Sequence, residues 1–225
     1  MKVRMLVASF LWILGAAPPN ASADPIIFNS FGPGDTFSSR NGYFFGYFFP
    51  GDETPESTHW RAMPFVAQQT ATLQNVTLPI QRNEFVAPPG PGALQVVLYA
   101  DNNGLPGTVL ESFTYAGATG PRSVLSFDSV THPQLIADTT YFLAAQAIGY
   151  AEGEWWGSFE EFGEWPTPFQ GGSPFNPGPW TPGASNFRTA FRLTGEDAPS
   201  PTPEPGTVIL LLTGAAAIVV RRALL

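Results

Sequence analysis

A chain of 225 residues with 24 Pro and 23 Gly carries nearly twice the usual share of these residues. That excludes helical bundles and coiled coils, because Pro removes a helix donor and Gly costs about 1 kcal/mol in a helix interior. Apolar residues at 44% with only 12% charge exclude a disordered chain, and zero Cys with two His excludes a disulfide scaffold, a thiolate site and a His-rich metal centre.

The first element is an address. Lys2 and Arg4, an apolar run from Met5 to Leu14 and Ala21-Ser22-Ala23 ahead of Asp24 stand in the order of a secretory signal, a basic start, a short apolar segment and a small-residue cleavage site. Residues 1–23 are therefore expected to be a signal peptide cut after Ala23. A buried N-terminal helix is the alternative, but it would have to finish in Pro18-Pro19.

Next, Tyr43-Phe44-Phe45-Gly46-Tyr47-Phe48-Phe49 is aromatic on both faces and reads as a fully buried strand, hazardous if exposed during export. Period-2 alternation follows in Val76-Thr77-Leu78-Pro79-Ile80 and again at Leu94, Val96 and Leu98, with Gln95 and Tyr99 opposite. Between strands, Asn103-Gly104 supplies the positive φ values of a tight hairpin turn and Pro106-Gly107 launches the next strand. The same turn offers oxygen ligands on Asp101, Asn102 and Asn103, a weak calcium candidate without the distal Glu of an EF-hand loop.

After a turn at Ala137-Asp138-Thr139, Tyr141, Leu143, Ala145 and Ala147 alternate as a further strand. The closing strand puts Phe187, Thr189, Phe191 and Leu193 on one face and Arg188 and Arg192 on the other, in water. These short strands predict an all-β fold over residues 24–197, an antiparallel β-sandwich, jelly-roll-like, with strand order left open. From Asp24 to Glu204 there are six Arg, no Lys and all 18 acidic residues, so the −8 of the whole chain becomes −12 in the body. Such a surface repels nucleic acid and anionic lipid.

The densest chemistry lies at residues 152–165, where five Glu, three Trp and two Phe fall within 14 residues. Indole faces stack on sugar rings and carboxylates accept sugar hydroxyls, so Trp155, Trp156, Glu160, Glu161, Trp165 and Trp180 form a candidate glycan-binding set. Paired Glu residues are also the machinery of glycosidases. The bland reading is that Trp155 or Trp156 and Trp180 plug the core or cover one end of the sandwich while the Glu residues are solvated. His59 and His132 stand alone without a catalytic motif and are given no role.

The last element is a second address. Pro203-Glu204-Pro205 precedes an apolar run over 207–220 and then Arg221-Arg222. At about 1.5 Å per residue such a run spans roughly two thirds of a 30 Å hydrocarbon core, a poor permanent anchor, and the paired arginines set the C-terminus inside. A plain single-pass tail is the alternative reading.

This tail resembles the PEP-CTERM sorting signal of Gram-negative bacteria, in which a Pro-Glu-Pro motif, a short apolar helix and a terminal basic cluster follow an N-terminal signal peptide. The resemblance implies recognition through Pro203, Glu204 and Pro205, a stop at Arg221 and Arg222, and processing by an exosortase, over a linker and signal spanning 198–225. The closing Ala223-Leu224-Leu225 departs from the usual arginine ending. The body resembles choice-of-anchor extracellular domains: Leu98-Tyr99, the Asn-Gly turn, Pro106-Gly107-Thr108, Thr140-Tyr141, Trp155-Trp156-Gly157-Ser158, Gly178-Pro179-Trp180 and Ala190-Phe191-Arg192-Leu193 fall in the same order. That resemblance implies a β-sandwich and no activity.

Together these readings predict an exported cell-surface or matrix protein, structural or interacting rather than enzymatic, without a cofactor. Its expected partners are an exosortase, transiently, and exopolysaccharide, with membrane contact only through the tail. The alternative is a secreted carbohydrate-binding domain or weak glycan hydrolase using residues 152–165.

Overall fold

The computed structural model describes residues 24–46, 60–82, 92–117, 122–149, 151–158, 169–171, 179–183 and 188–197. The signal peptide, Tyr47-Phe48-Phe49, Glu160, Glu161, Trp165, Phe187 and the whole tail with Pro203, Glu204, Pro205, Arg221 and Arg222 lie outside the described residues.

In chain order the strands are β1 (Ile26–Asn29), β2 (Phe37–Gly46), β3 (Trp60–Val66), β4 (Ala71–Arg82), β5 (Gly92–Asp101), β6 (Pro106–Tyr115) and β7 (Ser123–Asp128). They continue with β8 (Gln134–Leu135), β9 (Thr140–Gly149), β10 (Glu152–Ser158), β11 (Phe169–Gly171), β12 (Thr181–Pro182) and β13 (Arg192–Asp197). Among the described residues one 3-10 turn covers Pro33–Asp35. The all-β expectation is met, and the strands form antiparallel sheets in two layers, a β-sandwich.

One layer runs β1-β13-β4-β10-β2, with β7 and β8 on the far edge of β4, and the other runs β12-β11-β3-β9-β5-β6. The pairs β5·β6, β4·β7, β3·β9 and β2·β10 are nested in sequence, each enclosing the previous one, and they alternate between the layers. Outside them β1 pairs with β13, Ile26 opposite Thr194, and the Gly195 N–H donates to the Pro25 carbonyl at 2.9 Å. Both ends of the described body therefore meet on one edge.

The core fills the space between the layers. Val76, Leu78 and Ile80 face it from β4, Leu94, Val96 and Leu98 from β5, and Tyr141, Leu143, Ala145 and Ala147 from β9, as the alternation predicted. Full burial of a Leu-sized side chain stabilises by about 2 kcal/mol. The hairpin turn is also as expected: Asn103 and Gly104 have φ of 55° and 82°. Asn102 and Leu105 exchange both backbone bonds, the type I′ pattern that matches strand twist.

Three expectations need correction. The aromatic strand is not buried on both faces: Phe45 is 1% exposed but Phe44 is 40%, because β2 ends its sheet and only one face meets the other layer. Conversely β9 is buried on both faces, with Phe142, Ala144 and Gln146 at 4% exposure or less. Its outer residues pack with Ala62, Val97 and Tyr99 into a second small cluster against which Trp180 lies. Finally, Arg188 and Arg192 are not simply in water. Arg188 lies 5.0 Å over the Phe28 ring, and Arg192 lies 5.8 Å over Phe31 while bonding Asp35 at 2.5 Å.

Candidate functional site

Of the residues expected to bind glycan, the three that are described, Trp155, Trp156 and Trp180, do not converge. Trp155 points inward from β10, has no exposed surface and donates its indole N–H to the Ala190 carbonyl at 2.9 Å. A sugar has no face of it to stack on. Trp156, next along the strand, points to the opposite face and is 7% exposed, with the Arg122 guanidinium 3.9 Å above its ring. Trp180 belongs to the other layer, where its ring is 5.9 Å from Tyr99 and 6.2 Å from Trp60. The bland reading of Trp155 and Trp180 describes their positions better than the binding one.

On the outer face of β10 the sequence alternation sets Glu152, Glu154 and Trp156 in a row. Glu154 is 9% exposed and its carboxyl lies against Gly42 of β2 so closely that a Cβ there would sit 2.5 Å from Oε1. Burial pushes this carboxyl above the usual range; Arg122 draws it back and Glu152 adds to the rise. A carboxyl whose pKa is raised in this way is the raw material of a general acid. Here it is packed against a neighbouring strand rather than open to a substrate.

The calcium candidate is a turn that uses its own oxygens. Asp101 Oδ1 accepts from the Gly104 N–H at 2.8 Å, and Asn102 Oδ1 accepts from Asn103 Nδ2 at 3.2 Å. Among the described residues no group of three His, Asp or Glu side chains is placed to hold a metal ion.

Two features were not foreseen. An open groove of about 340 Å³ lies between Asn29–Pro33, Ser158 and Arg188. Its hydroxyls are committed to the fold: Ser158 donates to the Ser30 carbonyl at 2.6 Å, and Ser30 accepts from the Phe191 N–H at 2.9 Å.

The other is Glu111, a carboxylate only 4% exposed at the edge of the sandwich. It accepts from the Ser129 hydroxyl at 2.6 Å and from the Val130 and Thr131 amides at 2.5 and 3.0 Å, tying β6 to the loop after β7. Burial by itself would raise its pKa, but these donors outweigh burial and the net shift is downward. The signal was present in sequence: Glu111 shares the inward alternation of Phe113, a charge on an apolar face.

A scan against protein-family models found no match, and a search of curated proteins found none.

Proposed function

We propose that the chain is an exported structural or interaction protein of a Gram-negative cell surface or extracellular matrix. It is held briefly in the inner membrane by residues 207–220 and released when an exosortase-type enzyme acts at Pro203-Glu204-Pro205. The observation that carries this reading is the ordered pair of addresses in one sequence: a cleavable signal at 1–23, then Pro-Glu-Pro, a 14-residue apolar run and Arg221-Arg222.

The body supports it physically. Among the described residues the last ladder residue, Asp197, pairs with Ala71 of β4, six positions ahead of Pro203, so removing the tail takes none of the described strands from the sandwich. Within the all-β class we assign the sandwich to the jelly-roll type, on the nested pairing of eight strands alternating between two sheets. A body charge of −12 suits association with a neutral exopolysaccharide rather than with an acidic one.

The rival glycan-binding reading of residues 152–165 is disfavoured by the burial of Trp155 and the Arg122 cover on Trp156. The proposed sorting is tested by fractionating cells with and without the exosortase. Release to the surface or medium in its presence, and retention with the inner membrane in its absence, is the expected result; identical distribution in both strains contradicts it.

A further inference from the structure

The chain contains two Asn-Gly pairs, Asn41-Gly42 and Asn103-Gly104, in contrasting surroundings. Such pairs are chemically labile because glycine leaves its own backbone nitrogen unhindered. That nitrogen attacks the Asn side-chain Cγ and loses its proton; the Cγ–Nδ2 bond breaks, ammonia leaves and a five-membered imide remains. Water then opens the ring. Attack at Cγ gives aspartate, and attack at the main-chain carbonyl gives isoaspartate, with the chain running through the side-chain carbon. No oxidant, metal or enzyme is required.

What the reaction does require is rotation of the Asn backbone until the Gly nitrogen faces Cγ, and the two sites resist this to different degrees. Asn103 and Gly104 are the exposed central residues of the turn. A Cβ placed on Gly104 would have no heavy atom within 4 Å. Rotation there breaks the bond from the Gly104 N–H to Asp101 Oδ1, the exposed bond from Asn103 Nδ2 to Asn102 Oδ1 and the terminal Asn102–Leu105 pair. Gly42 instead lies inside β2, opposite Trp156 of β10, with the Glu154 side chain against it. Rotation there must open the ladder of β2 on β10, at the pair just before its register shifts, and a paired strand opens at greater cost than a loop tip.

The geometry points to Asn103-Gly104 as a site of spontaneous deamidation on the native protein, with Asn41-Gly42 protected by the sheet. Asp101 acts as a restraint on the reaction: it holds the attacking N–H away from Cγ, and its negative charge disfavours the amide anion that must form. The isoaspartate product adds a backbone atom to a two-residue loop, so the Asn102–Leu105 pair can no longer close in register, and the tip gains a negative charge beside Asp101.

The test is peptide mapping by mass spectrometry of the full-length folded protein during incubation at neutral and mildly alkaline pH, with an isoaspartate assay alongside. Conversion at Asn103 is expected to exceed that at Asn41 by about tenfold or more, since each additional 1.4 kcal/mol of opening costs a factor of ten. In a denatured sample the two sites should react at similar rates. Asp101→Ala should raise the folded-state rate at Asn103 severalfold and leave Asn41 unchanged. Asn41 keeping pace with Asn103 in the folded protein, or the same bias persisting in the denatured chain, would overturn the inference. An unchanged rate in Asp101→Ala would remove Asp101 from it.

Discussion

Trp155→Ala is expected to destabilise the protein by about 3–5 kcal/mol, the range for removing a large buried aromatic, which is a large part of the 5–15 kcal/mol that holds a typical domain folded. Trp155 has no exposed surface, packs its ring 5.6 Å from that of Phe191 and aligns with Tyr43 and Ile80 on the neighbouring strands. Its N–H also satisfies the carbonyl of the fully buried Ala190. Trp155→Phe keeps much of the apolar contact and leaves that carbonyl unpaired, so it should cost less than alanine but still more than about 1 kcal/mol. Denaturant midpoints followed by circular dichroism measure both. An alanine variant within about 1 kcal/mol of the wild type would mean that Trp155 is not a core residue.

Glu111→Leu should also be damaging, because it strands the buried Ser129 hydroxyl donor, at about 1–3 kcal/mol for a buried unpaired group, and takes the acceptor from the part-buried Val130 and Thr131 amides, at a smaller cost where water can replace it. The same carboxylate makes stability depend on pH. Its folded pKa lies below its unfolded one, so the native state binds this proton more weakly than the unfolded chain does. Its contribution is fully present above the unfolded carboxyl pKa of about 4.3 and is lost as pH falls through the lower folded value. Glu111→Gln should therefore lower the denaturant midpoint at neutral pH and flatten its decline in acid. Midpoint curves for wild type and Glu111→Gln that stay parallel down to about pH 3 would show that the carboxylate does not carry the acid sensitivity.

Fold class was legible in the sequence because alternation at 76–80, 94–98 and 141–147 is a local property, and the Asn103-Gly104 turn carries its own conformational demand. The nested order of strands was not legible, since β2·β10 and β3·β9 join residues more than 70 positions apart. The outer face of β9 escaped for a related reason. Phe142, Ala144 and Gln146 look solvent-facing in an alternating pattern until another segment covers them, and Trp180 does so from 36 positions downstream of Ala144.

The Trp and Glu cluster divides where its described part forms a strand. Composition marks it as unusual, but adjacency along a strand sends Trp155 and Trp156 to opposite faces. The described part of a segment dense in Trp and Glu is thereby divided between the core and the outer surface. Trp180, grouped with them by residue type, sits on the other layer. Neighbours in sequence make one surface only at alternate positions of a strand, which is why Glu152, Glu154 and Trp156 do share a face.

The central claim is that both ends of this chain are addresses removed or used in passage, leaving the sandwich as the mature product. Mass spectrometry of the protein recovered from the cell surface or medium tests it directly. The account predicts Asp24 as the first residue and no residue beyond Pro205. An intact Leu225 would contradict it and make the chain a membrane-tailed protein instead.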